Sequence, residues 1–332
     1  MTQQPKSSTG ELLIDARGLV KTFGSKLVVD NINLAVKRGE ALGFLGPNGA
    51  GKSTTMRMLT GFLDPNAGSI SICGRDMASD PIGAKSHVGY LPEGSPLYSD
   101  MSVSQFLRFV AVARGMGKKQ LKDRFDWVVT TLGLGQVTSQ ALDTLSKGFR
   151  RRVGLAQALI HDPDVLILDE PTDGLDPLQK HEARSLIRTL ASDKAIIIST
   201  HILEEVEPLC TRVLIISAGT TLCDALPGEL IARAQGHNAI ELELTDAPEA
   251  QSVEQQLRSI SQLRQVQRID SGAGNFRFSL LPKEGADLTE AVSSMCHSNN
   301  WKIRRLAASE GQIDQVFRQL VGSQTEQQQQ VA

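Results

Sequence analysis

Apolar residues follow three rhythms along the chain. Positions 27–36 alternate, with Val28, Ile32, Leu34 and Val36 set between polar neighbours, the period of a half-buried strand. Shorter stretches at 12–16, 19–24, 69–73 and 87–91 read as further strands, the second ending in a turn. Three runs, at 41–45, 164–168 and 195–198, are apolar almost without interruption, which suits strands covered on both faces of a parallel sheet. Between them lie stretches with helical spacing at 53–63, 125–134, 151–160 and 181–190. Ser102, with Gln105 three residues on, fits a capping box that opens another helix carrying Phe106, Leu107, Phe109 and Val110. Residues 94–160 therefore read as an inserted helical subdomain. The segments 213–217 and 220–223 read as a hairpin at the end of the sheet.

Leu226-Pro-Gly-Glu marks a boundary, with 226–238 as a linker. The pattern then restarts as strand (240–244), helix (253–260), strand (266–269), strand (276–280), helix (288–296) and strand (301–306). That order is the split βαβ, ferredoxin-like arrangement, so 239–322 is expected to be a small accessory α+β domain, closed by a helix over 312–321. The glutamine-rich end, 323–332, is expected to be disordered.

One stretch carries chemistry on its face. Gly46, Pro47, Asn48, Gly49, Ala50, Gly51, Lys52, Ser53 and Thr54 fit the G-x-x-x-x-G-K-[ST] phosphate loop, between an apolar strand and a helix. Glycines let backbone N–H groups curl around phosphate oxygens, and the helix N-terminus points at the same charge. Lys52 supplies a mobile cation and Ser53 a hydroxyl for Mg²⁺. Asp169 and Glu170 close the second apolar run, so a carboxylate stands at a strand end beside the loop, with a neighbour able to orient water.

Composition narrows the partners. A formal charge of −2 gives no general electrostatic case for nucleic acid, and Arg150, Arg151 and Arg152 read as a solvated helix start. The four cysteines are scattered without a C-x-x-C pair, which argues against a disulfide framework or a zinc site and suits a reducing compartment. The polar N-terminus lacks a signal-peptide segment, and no stretch approaches 18 uninterrupted apolar residues.

The remaining stretches occur in a fixed order around the loop. Phe23 precedes it, Leu145-Ser146-Lys147-Gly148-Phe149 lies upstream of Asp169, and Thr172-Asp-Gly-Leu-Asp176 follows Glu170, with Ser199-Thr-His201 further on. Over 11–225 this set resembles the nucleotide-binding subunit of ABC transporters. The resemblance implies a P-loop NTPase core of α/β class with an antiparallel β subdomain and the helical insertion. It also implies roles: Gly46 to Ser53 as Walker A, Asp169 as magnesium ligand, and Glu170 as general base or water-orienting residue. His201 would be the switch histidine, Asp176 part of the D-loop, and Phe23 the surface on which adenine stacks. Ser146 and Gly148 would act in trans on the γ-phosphate bound by a second copy, the two copies facing head to tail. The stretch from Leu91 to Tyr98 is similar to the type-two exporter branch, the gliding-motility and multidrug-type export ATPases. An ATPase at the cytoplasmic face of the membrane, driving separate transmembrane permease subunits near Glu93 and 95–101, is the function this implies, with no nucleic acid partner expected.

Two departures from the family pattern stand out. Lys147 and Phe149 replace the first Gly of the Gly pair and the Gln of Leu-Ser-Gly-Gly-Gln, and Glu93 stands where the family usually has a Gln. Glu93 is read with Ser53 and Asp169 on the metal side, because an ionised carboxylate only accepts. The rival readings are a soluble ABC ATPase acting on ribosomes or nucleic acid, and a regulatory module without turnover. The single cassette without a heptad run weighs against the first, and intact Asp169, Glu170 and His201 against the second.

Overall fold

Two segments near the N-terminus, Leu12–Phe23 (β1) and Lys26–Lys37 (β2), form one long antiparallel hairpin. Residues 12–23 are one strand rather than the two expected, with Gly24 in the turn that follows. Pairing shifts register between Ala16 and Leu19, and Gly18 sits there at φ +60°. An extra residue in one strand is absorbed as a bulge, which bends the ladder without ending it. The computed structural model describes residues 10–94, 97–200, 202–233, 239–245, 249–269, 275–283, 286–309, 313–314 and 316–322. They belong to two compact units, Met1–Pro227 and Gly228–Ala332.

In the first unit, Ala41–Leu45 (β3) leads through the phosphate loop into Lys52–Leu59 (α1). Ala67–Ile72 (β4) and Arg75–Asp76 (β5) complete a four-stranded sheet in the order β2-β1-β4-β5. Pro81–Ser86 (α2) follows, capped by Asp80, whose carboxylate accepts the Gly83 N–H at 3.0 Å. β5 and α2 are too short to show a period, and neither is anticipated by the pattern. Val88–Leu91 (β6) then opens the helical insertion of Val103–Ala113 (α3), Lys118–Thr131 (α4) and Lys147–Leu159 (α5). The capping box is present: Gln105 N–H donates to Ser102 Oγ and Gln105 Oε1 accepts from Ser102 N–H.

Val165–Asp169 (β7), Pro177–Ala191 (α6), Ala195–Thr200 (β8), Val206–Leu209 (α7), Arg212–Ser217 (β9) and Thr220–Ala225 (β10) finish this unit, and Pro227–Ala232 (α8) begins at its last residue. The segment expected to begin a linker is therefore helical at α8. Helices α4, α5 and α6 each begin one or two turns before the apolar spacing does. Their first turns are mostly polar, with a single large apolar residue in α5 (Phe149) and α6 (Leu178), and for these two the start is fixed by side-chain caps at Ser146 and Asp176.

The six-stranded sheet runs β10-β9-β3-β8-β7-β6, parallel from β9 to β6 with β10 antiparallel at its edge. Strands β3, β7 and β8 are buried along their whole length, as continuous apolar runs require. Phe44, Met56, Ile167, Ile197 and Ile216 join Ile14, Leu19 and Ile32 in one apolar cluster, so the hairpin sheet and the parallel sheet share a core. Each large aliphatic side chain buried there contributes about 1.5–3 kcal/mol.

The second unit contains Ile240–Thr245 (β11), Ala250–Leu257 (α9), Leu263–Ile269 (β12), Asn275–Pro282 (β13), Thr289–Ser298 (α10) and Lys302–Ala308 (β14). Its sheet runs β12-β13-β11-β14 with every pair antiparallel. Leu242, Leu244, Phe278 and Leu280 point to one side and pack with Val253, Leu257, Val292 and Cys296 of the two helices. The Gln-rich end and Gln312 lie outside the described residues.

Candidate nucleotide site

Five side chains named from the sequence meet in one cleft of about 790 Å³: Lys52, Ser53, Glu93, Asp169 and Glu170. They come from three separate stretches, and parallel strands deliver all three to the same sheet edge. β3 ends in the phosphate loop, β6 ends just before Glu93, and β7 ends at Asp169. The loop's tightness is visible at Gly46, where a Cβ would meet Ile216 O at 2.4 Å. Gly51 caps α1 in the left-handed region at φ 103°, with no side-chain cap. The first-turn amides of α1 are thus left facing the cleft rather than a capping oxygen.

Lys52 is buried and its ammonium donates to the carbonyls of Gly46 at 2.7 Å and Pro47 at 3.1 Å. Burial pulls its pKa below the ordinary lysine value, against the opposing pull of Glu170, Asp169 and Glu93. Burial, followed by the Asp169 charge, pushes the Tyr90 phenol up to about 12, so it stays neutral beside the site.

Asp169 is buried and accepts a hydrogen bond from Ser199 Oγ on one carboxylate oxygen. Ser199 also receives the Glu170 N–H, at 3.1 Å on its carbonyl and 3.2 Å on its hydroxyl. Glu170 itself stands at φ +51°, a conformation that costs an L-residue about 1–2 kcal/mol. Ser199 is thus a site residue whose part the sequence does not disclose. Its signal is the register that sets Asp169 opposite Ser199 across β7 and β8.

A second unanticipated group is Glu205, wholly buried four residues past the expected switch histidine. Thr172 Oγ1 donates to it at 2.6 Å and Arg184 Nη2 at 3.0 Å, which pins the turn after Glu170 to the segment entering α7. His201 lies outside the described residues.

The other named residues lie elsewhere. Phe23 ends β1, is 51% exposed and carries the Lys21 ammonium 5.6 Å from its ring centroid, while Lys26, Leu27 and Val28 line the cleft. Asp176 caps α6 through the Gln179 N–H at 2.8 Å. Ser146 caps α5 through the Phe149 N–H at 3.3 Å and, like Gly148, is outside the cleft lining of its own chain. Lys147 pairs with Asp173 at 2.9 Å on the exposed surface. Arg151 corrects the expectation of a solvated helix start: it is 7% exposed and turned into the molecule, because it is on the inner face of α5.

The oxygen donors Ser53, Asp169 and Glu93 fit a hard divalent cation such as Mg²⁺, which takes carboxylates and hydroxyls and no sulfur. The cleft as a whole offers backbone amides and a lysine for polyphosphate on one wall and carboxylates for metal and water on the other.

The chain is similar to known proteins over the part that holds this cleft. The family model for the ABC transporter matches residues 29–173. The Nod factor export ATP-binding protein I of Ralstonia nicotianae is 38% identical over 237 residues, covering 71% of this chain and 74% of that protein. The probable multidrug ABC transporter ATP-binding protein YbhF of Escherichia coli K12 is 36% identical over 69% of this chain and 40% of that protein, so the chain spans less than half of this relative. A solved structure titled as the ATP-binding subunit of an ABC transporter superposes with a TM-score of 0.62 at 29% identity, covering 66% of this chain and 91% of that one. The cbiO1 protein of Clostridium perfringens, titled as part of the transporter complex cbiONQ, gives 0.60 at 28% identity, over 67% of this chain and 92% of that one.

Proposed function

Because this chain belongs to the family of ABC transporter ATP-binding subunits, we propose that it is the ATP-hydrolysing motor of a membrane exporter, seated at the cytoplasmic face on separate transmembrane subunits. The observation that carries the reading is the convergence of Lys52, Ser53, Glu93, Asp169 and Glu170 in one cleft at the phosphate loop. Lys52 and the loop amides take the β- and γ-phosphates. Ser53, Asp169 and Glu93 hold Mg²⁺, which supplies charge neutralisation at the phosphates when bound. Glu170 orients the attacking water and accepts its proton, Ser199 keeps the Asp169 carboxylate aimed, and Phe23 offers the exposed ring on which adenine stacks. Hydrolysis here is positional and electrostatic work on the γ-phosphate.

Two copies close head to tail. Ser146 caps α5 with an oxygen lone pair, which leaves its O–H to donate to the γ-phosphate held by the partner, alongside the Gly148 amide. An apolar cleft of about 480 Å³ lined by Phe62, Tyr90, Leu91 and Leu97, with Phe62 76% exposed, is where the transmembrane subunit docks, beside Glu93. Export rather than uptake is supported by the printed names of the relatives. The second unit is a split βαβ, ferredoxin-like accessory domain, a reading supported by its strand order and its antiparallel pairs. The ribosome-directed alternative finds no support, since no helix among the described residues exceeds the 15 residues of α6.

The test is Glu170→Gln. It should keep ATP binding, lose nearly all phosphate release and accumulate an ATP-bound dimer in size-exclusion light scattering. Near-normal release would remove Glu170 from the role of general base, and absence of phosphate release by the unsubstituted chain would overturn the motor reading.

A further inference from the structure

Arg151 is the fifth residue of α5, one turn past Ser146, and its guanidinium reaches backbone on two sides of the cleft. Nη1 donates to Pro92 O at 3.0 Å, immediately before Glu93. Nη2 donates to the carbonyls of Asp169 and Glu170, and Nε to Pro171 O at 3.4 Å. The same helix lies against β6 so closely that a Cβ on Gly89 would meet Ala158 O at 2.1 Å. A cation buried in this way loses hydration that only close polar partners offset. Burial accordingly lowers its pKa, and Asp169, Asp173, Glu170 and Glu93 oppose that shift. An apolar side chain of similar length would fill the space without that cost. What it could not do is bridge two loops, which takes a planar fork with several N–H groups.

We propose that Arg151 is a positioning residue that couples the two nucleotide sites of the dimer. It carries the grip of Ser146 and Gly148 on the partner's nucleotide back to the chain's own Glu93 and Glu170. This rests on the two-copy reading given above. Helix α5 is 13 residues long and moves as a rod, so a shift of its N-terminus displaces Arg151 with it. The guanidinium then moves both loops together, because it holds backbone carbonyls of each, Pro92 on one side and Asp169, Glu170 and Pro171 on the other. One site becomes competent when the other is filled, and hydrolysis is cooperative in ATP. Such linkage requires an element whose position both sites bias, and α5 with Arg151 meets that description.

The experiment uses the full chain and the substitutions Arg151→Lys and Arg151→Gln, the first keeping the charge without the fork. Phosphate release is measured against ATP concentration at fixed Mg²⁺, with melting temperature and binding of a fluorescent ATP analogue recorded for each protein. The unsubstituted protein should show a Hill coefficient above one. Folded Arg151→Lys should bind nucleotide within about twofold of it, lose kcat on the order of 10²-fold and fall to a Hill coefficient of one. A folded Arg151→Lys with unchanged kcat and Hill coefficient overturns the proposal, as does a coefficient of one in the unsubstituted chain. Failure of Glu170→Gln to dimerise with ATP would instead sink the two-copy reading. If both Arg151 substitutions unfold, hydrogen exchange on the Glu170→Gln protein decides. Amides at Glu93 and Gly94 and at Thr172 and Asp173 should gain protection at one ATP midpoint, and separate midpoints overturn the coupling.

Discussion

Glu93 is an acceptor where its family usually places an amide, and the difference is one charge and two N–H donors. It shares the cleft with Asp169 and Ser53, and its proposed place is on the metal side, because an ionised carboxylate is repelled by the γ-phosphate. Glu93→Gln should leave folding and ATP binding unchanged and raise the Mg²⁺ concentration for half-maximal phosphate release several-fold. Superimposable magnesium titrations of the two proteins at saturating ATP would end that assignment. At this scale the sequence exposes the residues whose type is itself chemical, such as Lys52, Ser53, Asp169 and Glu170. It hides those that act through geometry. Ser199 looks like the end of an apolar strand, Glu205 like one of two adjacent acids, and Arg151 like one of three arginines in a row. Their parts depend on register and on helix face, which only the fold supplies.

At the scale of the element, α5 does two things with its N-terminus. The Ser146 hydroxyl closes the first turn, and neither Ser146 nor Gly148 lines the cleft of its own chain. Ser146→Arg should therefore leave nucleotide binding by the single chain within about twofold, cost about 1 kcal/mol through the lost cap, and abolish most turnover by blocking the approach of a second copy. Full activity in this variant would count against a shared site. The strands that were clearest in the sequence are β3, β7 and β8, because burial on both faces leaves a continuous apolar run. The helix starts were least clear. Mostly polar first turns hide the period in α4, α5 and α6, and a bulge at Gly18 looks like a strand end when read without its partner strand.

At the scale of the whole molecule, the two units hold separate apolar clusters, one around Phe44 and Met56 and the other around Phe278 and Leu242. The groups of the nucleotide cleft all belong to the first unit. Phe278→Ala removes a fully buried ring from the second cluster and should cost it about 3–5 kcal/mol. Calorimetry should show one transition moved down and the other in place, with phosphate release unchanged at temperatures below both. A parallel loss of ATPase activity would mean that the second unit is needed for the first to work.

Glu170 holds its place against the preference of its own backbone, at φ +51°. Glycine accepts that conformation freely and asparagine tolerates it, and neither can take a proton from water. With Glu170 as the proposed general base, stability and turnover are expected to pull in opposite directions at this one position. A population selected for heat resistance alone would drift toward Gly or Asn at 170, gaining about 1 kcal/mol and losing phosphate release in the same clones. Persistence of Glu170 through such a selection would show that the bend after β7 carries no strain.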